Sequence, residues 1–260
     1  MRTRSFIESL QAIGLNSFTT NEFQQKLNIS DTAVAARLRR LRKSRQIATP
    51  YSSFHVIIPP RYRQLGCIPP ELFIDDLMKY LEKSYYVGLL TSARYYGATH
   101  QIPMSFQVMV PTQQPNIQCG KVFIQFITFG QMSLFPSISR KNDAGFFQLA
   151  SPETIVLEMM GYPEHCGYWN NVLAVLDELK EQVSLEKIKA LFPNVPTAWL
   201  QRLGYFSAFI EYYDLADLIE QHLEARRIYP IALATWMPTG GEPTDQRWKV
   251  ILNTELEMDI

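Results

Sequence analysis

Apolar side chains recur every three or four residues through the first forty-five positions and again through most of residues 150–225, while short alternating runs occupy the middle of the chain. Over 3–13 (TRSFIESLQAI), Phe6, Ile7, Leu10 and Ile13 share one face of a predicted helix, and Gly14 follows in a C-cap position. The run TTNEFQQKLN offers Thr19 or Thr20 as N-cap, with Glu22 and Phe23 in the first turn of a short helix. Leu27–Ser30 then turn tightly into a third predicted helix, SDTAVAARLRRLRKSR at 30–45, where Val34, Leu38 and Leu41 form the apolar stripe. Two short strands, 47–50 and 54–58, flank Tyr51-Ser52-Ser53, and Pro59-Pro60 closes the segment.

Beyond Cys67 the pattern mixes both periods. A helix is predicted over 71–83 from Leu72, Ile74, Leu77, Met78 and Leu81, and a strand-like run from Tyr85 turns helical around 91–96. Strands are predicted at 106–110 and 122–127, with a weaker one at 146–149. Ser151-Pro152-Glu153 is a strong helix start, and helices follow at 153–160, 168–182, 184–191, 196–203 and 211–225. Extended structure is expected near Trp236 and at 248–252. The expected fold class is therefore α+β. An N-terminal winged helix-turn-helix (three helices, then a hairpin) spans 1–63, and a mixed α+β domain with a helical second half spans 64–260.

Charge sharpens the first module. The chain is neutral overall, with 25 basic and 25 acidic residues. Residues 1–63 hold eleven Lys/Arg against three Asp/Glu, a net +8, which leaves a net −8 on the remainder. A basic quarter on an acidic body points to a polyanion-binding module. On the third helix Thr32, Ala36, Arg39, Arg40 and Lys43 lie opposite the apolar stripe, with Arg37, Arg42 and Arg45 on its flanks. The candidate DNA contacts are those eight together with Thr20, Ser30 and Ala33, and Tyr51, Ser52, Ser53 and His55 from the hairpin. Most are expected to meet phosphates, while Arg39, Arg40, Lys43 and Thr32 carry the expected sequence discrimination.

No catalytic motif accompanies them: there is no Walker loop, GxGxxG, HExxH or GxSxG. Glu164-His165-Cys166 lacks a second Cys/His pair at zinc-like spacing, and the acidic clusters at 75–76, 177–181 and 214–224 read as solvated helix faces. We expect no enzyme activity, no cofactor and no metal. Cys67, Cys119 and Cys166 are odd in number and far apart in sequence, which suggests reduced thiols and a cytoplasmic protein. No apolar run reaches membrane-spanning length, and no signal-peptide pattern opens the chain.

The segments PPRYRQLGCIPPELFIDDLM and YYVGLLTSARYYGATHQ resemble the AbiEi family, the antitoxins of type IV toxin–antitoxin systems known from phage abortive infection. So do FQVMV, VFIQFI, ASPETIVLEM, NNVLAVLDEL and WLQRLGYFSAFIE, and the N-terminal EFQQKLNISDTAVAARLRRLRKSRQIATPYSSFHVIIPPRYR is similar to its winged-helix half. The resemblance implies autorepression through inverted repeats in operator DNA. It also implies functional counteraction of a nucleotidyltransferase-like toxin by the C-terminal half, without a stable complex and without a membrane. Arg94, Tyr96 and His100 are the candidate toxin-neutralising residues. Two other readings stay open: a ligand-responsive winged-helix transcriptional regulator without a toxin partner, and a DNA-delivered nuclease. The nuclease reading expects a carboxylate pair and a Lys on a strand, where the best strand has Gln125.

Overall fold

Three phenylalanines organise the N-terminal segment. In the computed structural model, which describes residues 3–99 and 103–257, Phe6, Phe18 and Phe23 meet with ring centroids 5.2–5.6 Å apart. They arrive from α1 (Thr3–Ala12), β1 (Ser17–Thr19) and α2 (Thr20–Leu27). Val34, Leu38 and Leu41 of α3 (Asp31–Lys43) join this core, along with Ile47 of β2 (Ile47–Tyr51) and Ile57 of β3 (Phe54–Ile57). Helix α1 stops one residue before Ile13, which is 70% exposed rather than part of the apolar face. Thr19 caps α2 through a reciprocal capping box with Glu22. Ser30 precedes α3 in extended conformation but makes no capping bond, and its hydroxyl lies 3.2 Å from that of Thr32. The three strands form an antiparallel sheet in the order β1-β3-β2. β1 was not expected from the pattern, because Phe18 is its single apolar residue and alternation needs more than three positions to register.

The same compact unit, residues 3–87, 103–132 and 138–149, contains a second sheet. Helix α4 (Ile74–Tyr80) is shorter than its pattern, since Phe73 leaves helical geometry at φ −147° behind a single 3-10 turn. It leads to β4 (Tyr86–Val87), β5 (Phe106–Val110), β6 (Ile117–Cys119), β7 (Val122–Thr128), β8 (Ser137–Asn142) and β9 (Gly145–Ala150). The six-stranded order is β6-β7-β5-β4-β9-β8, with β5 and β7 parallel and Val108 opposite Phe126. Strand β8 (SISRKN) is a polar edge strand, so no hydrophobic alternation marks it. Packing does not thin out at residue 63. The Ser17 hydroxyl donates to Asp76 at 2.6 Å, Tyr80 donates to the Ser52 carbonyl at 3.1 Å, and the Phe54 and Phe73 rings are 6.5 Å apart.

The other unit, residues 88–99, 133–137 and 150–257, is mainly helical. It comprises α5 (Leu89–Tyr95), α6 (Pro152–Gly161), α7 (Tyr168–Leu179), α8 (Leu185–Leu191), α9 (Thr197–Phe209), α10 (Tyr213–Glu224) and the short strands β10 (Ile231–Ala232), β11 (Thr244–Asp245) and β12 (Val250–Ile251). Ser151 caps α6 by accepting from the Thr154 N–H at 3.3 Å. Residues 153–160 are all buried, so α6 is a central helix rather than an amphipathic surface one. Helix α9 outruns its pattern by six residues, and within it Gln201 and Arg202 are buried polar residues. They donate to the carbonyls of Tyr229, Trp248 and Ala232, which ties the helix to the β10–β12 sheet. Among the described residues, no helix is long and apolar enough to cross a membrane.

Candidate nucleic-acid interface

The outer face of α3 follows from its stripe. With Val34, Leu38 and Leu41 buried at 4–7% exposure, the residues about 180° away on the helix must face solvent. Thr32, Ala36, Arg39, Arg40 and Lys43 are all exposed, as are Ser30, Arg42 and Arg45. Ala33 and Arg37 are half-buried on the side toward α1, where Arg37 Nη1 donates to Thr3 Oγ1 at 3.4 Å. Among the described residues, no acidic side chain forms a salt bridge within 4 Å of Arg39, Arg40, Arg42 or Lys43.

Between α3 and the hairpin lies a cleft of about 390 Å³, with Thr20 and Gln24 of α2, Asp31, Ala35 and Arg42 of α3, and Thr49, Ser52, Ser53 and His55 on its walls. Ser52 and Ser53 are exposed at the hairpin tip. Ser53 takes the left-handed conformation at φ +58°, and its carbonyl accepts from the Thr20 N–H at 2.9 Å, so the tip is anchored to the start of α2. Tyr51 is half-buried, with its ring 6.4 Å from that of Tyr80.

His55 is placed differently from the expectation of an outward contact. It is 3% exposed, because β3 is the middle strand and all four of its residues are buried. Its Nε2 lies 2.9 Å from Thr20 Oγ1 and its Nδ1 lies 2.9 Å from Thr49 Oγ1. Burial, with a smaller contribution from the Arg42 charge, pushes its pKa down to about 4, so the ring is neutral at pH 7. Thr20 is correspondingly half-buried and occupied by this bond. Gln24, Ala35 and Thr49 were not foreseen at the cleft. Their only signal was spacing from Asp31 and His55, which is uninterpretable before α2, α3 and the hairpin are docked.

Two of the three residues of the second candidate site are described. Arg94 is exposed. Tyr96 is half-buried, with its hydroxyl donating to the Ala150 carbonyl at 3.0 Å and its own carbonyl accepting from Gln182. His100 lies outside the described residues. Other residues of the same segment have packing roles: Ser92 also bonds the Ala150 carbonyl, and the Leu89 N–H, at φ +50°, donates to the fully buried Glu158 at 3.3 Å. The LQRLGY segment is likewise internal. A Cβ on Gly204 would lie 2.2 Å from the Trp248 ring, so only glycine lets that indole seat against α9. Among the described residues, no group of three or more His, Cys, Asp or Glu side chains is arranged to hold a metal ion.

Residues 86–208 match the family model described as the AbiEi antitoxin C-terminal domain. No curated protein matches the chain in sequence. Among solved structures, the crystal structure of the RV2827C protein from Mycobacterium tuberculosis is similar, with a TM-score of 0.71 at 16% identity, over 95% of this chain and 89% of that one. At that identity the likeness speaks for a shared mixed α+β fold alone.

Proposed function

The chain belongs to the AbiEi antitoxin family through its domain at residues 86–208, and from that premise we propose that it is a non-enzymatic cytoplasmic antitoxin that represses its own operon. In this reading residues 1–63 are a winged helix-turn-helix. α3 enters the major groove of operator DNA at inverted repeats, and the β2–β3 tip rides on the backbone. Residues 64–260 counteract a nucleotidyltransferase-like toxin.

The observation that carries the DNA half is the exposed basic surface of α3. Arg39, Arg40 and Lys43 are exposed beside the small side chains of Thr32 and Ala36, which allow close backbone approach to a groove. Ser30, Arg42, Arg45, Tyr51, Ser52 and Ser53 supply phosphate contacts around it, with Ala33 and Arg37 at the α1 edge. Thr20 and His55 act from inside, by holding the tip. Fluorescence anisotropy with the upstream duplex and a scrambled duplex tests this reading. Tighter, steeply salt-dependent binding to the upstream duplex is expected, and equal affinity for both would reject operator recognition.

A ligand-responsive regulator without a toxin partner is the second reading. What favours it is the cleft beside α3, which has hydroxyl, amide, carboxylate and guanidinium groups among its lining residues. Co-expression with a nucleotidyltransferase-like toxin of the AbiEii type separates the two. Restored growth supports the antitoxin, and continued growth arrest supports the ligand-responsive regulator.

A further inference from the structure

Two of the three cysteines, 52 positions apart in sequence, stand together at the base of the hairpin. Cys67 is fully buried and Cys119 is 7% exposed. The chain at 65–67 lies directly on the β6–β7 turn. The Lys121 N–H donates to the Leu65 carbonyl at 2.7 Å, and a Cβ on Gly120 would come within 2.2 Å of that same oxygen and 2.8 Å of Gly66 Cα. Across this contact the Cys67 and Cys119 thiols are neighbours, and the Thr49 backbone lies beside the Cys119 sulfur. Thr49 is the residue whose hydroxyl holds His55, and His55 in turn meets Thr20. A chain of contacts therefore runs from the two sulfurs to the cleft beside α3.

We propose that Cys67 and Cys119 are an oxidation site, a dithiol that a hydroperoxide converts to a disulfide, and that this conversion shifts the hairpin through Thr49. The second clause rests on the DNA-binding reading above; the first does not. With hydrogen peroxide, the Cys119 sulfur attacks one peroxide oxygen, the O–O bond breaks, and sulfenic acid and water form. The Cys67 sulfur then attacks the sulfenyl sulfur, the S–O bond breaks, and the hydroxyl leaves as a second water with the Cys67 proton. Two thiols lose two electrons and two protons, and one peroxide becomes two waters. Cys119 reacts first because it is the more exposed of the two, and because its neighbours Cys67 and Thr49 hold its pKa below the usual thiol value. Cys67, already in contact, resolves the sulfenic acid. Covalent closure brings the two sulfurs to about 2 Å, so the Cys119 sulfur beside the Thr49 backbone must move. Cys166 is the internal comparator: fully buried in the other unit, with its thiol pushed well above the usual range by burial and by Glu158.

The full-length chain, reduced and then treated with hydrogen peroxide, decides the matter by intact mass and non-reducing peptide mapping. The expected product has a linked Cys67–Cys119 peptide pair and an unmodified Cys166, and neither Cys67→Ser nor Cys119→Ser forms the link. Recovery of Cys67 and Cys119 as free thiols, or a link to Cys166 or between chains, overturns the site. In parallel, the oxidised wild type is expected to bind upstream duplex DNA at least about fivefold more weakly, reversibly with dithiothreitol, while both serine variants are insensitive. A link formed without any change in DNA affinity overturns the coupling to the hairpin. Reduced protein that ignores DNA counts against the DNA-binding reading and the coupling, and leaves the mass result to decide the dithiol.

Discussion

Nδ1 of His55 lies 2.9 Å from Oγ1 of Thr49, inside the three-stranded sheet, and this bond joins the middle strand to the strand that carries the hairpin tip. It makes a histidine within a basic module a structural element held neutral, where composition alone would suggest a cationic contact.

Stability of the N-terminal segment should depend on this ring. The pKa is 6.5 when unfolded and about 4 when folded, so the unfolded chain binds more protons between those values. The contribution is complete above pH 6.5, falls as pH drops toward 4, and is level below that, amounting to at most about 3 kcal/mol. Urea denaturation at pH 7.5, 6 and 5 checks this. His55→Gln, which can still bridge two hydroxyls, should lose stability less steeply over that interval, and parallel curves for the two proteins would reject the assignment.

Arg39→Ala should weaken operator binding by about 1–3 kcal/mol and relax preference at one base position. Arg42→Ala should weaken binding to every duplex alike and lower the slope of log affinity against log salt by about one. Anisotropy titrations from 50 to 200 mM salt, on the operator and on single-base variants, read both effects. The opposite assignment of the two residues is the result that would revise the docking.

Gly204→Ala should destabilise the helical unit by about 1–3 kcal/mol, since the added methyl meets the fixed Trp248 ring. Thermal melting followed by tryptophan fluorescence reports it. Trp248→Leu in the same chain should recover part of the loss, and a variant as stable as the parent would show that the indole has room to move.

Arg94→Ala and Tyr96→Phe should separate surface from scaffold. Arg94 is exposed, so its removal is expected to abolish growth rescue in toxin co-expression with an unchanged melting temperature. Tyr96→Phe removes the bond to the Ala150 carbonyl and should cost about 1 kcal/mol of stability. If Arg94→Ala keeps full rescue, the neutralising surface lies elsewhere.

Local chemistry was legible wherever one segment decides its own structure. The Thr19–Glu22 box, the Ser151-Pro152 start and the stripe at Val34, Leu38 and Leu41 all appear where period and capping place them. The outer face of α3 followed by geometry, because a helix that buries one side must expose the other. Helix ends were less legible. Phe73 shortens α4, and α9 runs on past Leu203 to Phe209, where Gly204 seats the Trp248 ring from a distant segment.

What the sequence determined by itself was the basic helix, the hairpin after it, the alternation of the longer strands and the family resemblance of residues 86–208, all properties of contiguous residues. Tertiary structure alone decided that His55 turns inward between Thr20 and Thr49, that the N-terminal segment packs on Asp76 and Tyr80 across residue 63, and that Cys67 meets Cys119. These depend on which strand is central and which turns touch. That is set by long-range docking of elements whose individual patterns carry no record of their neighbours.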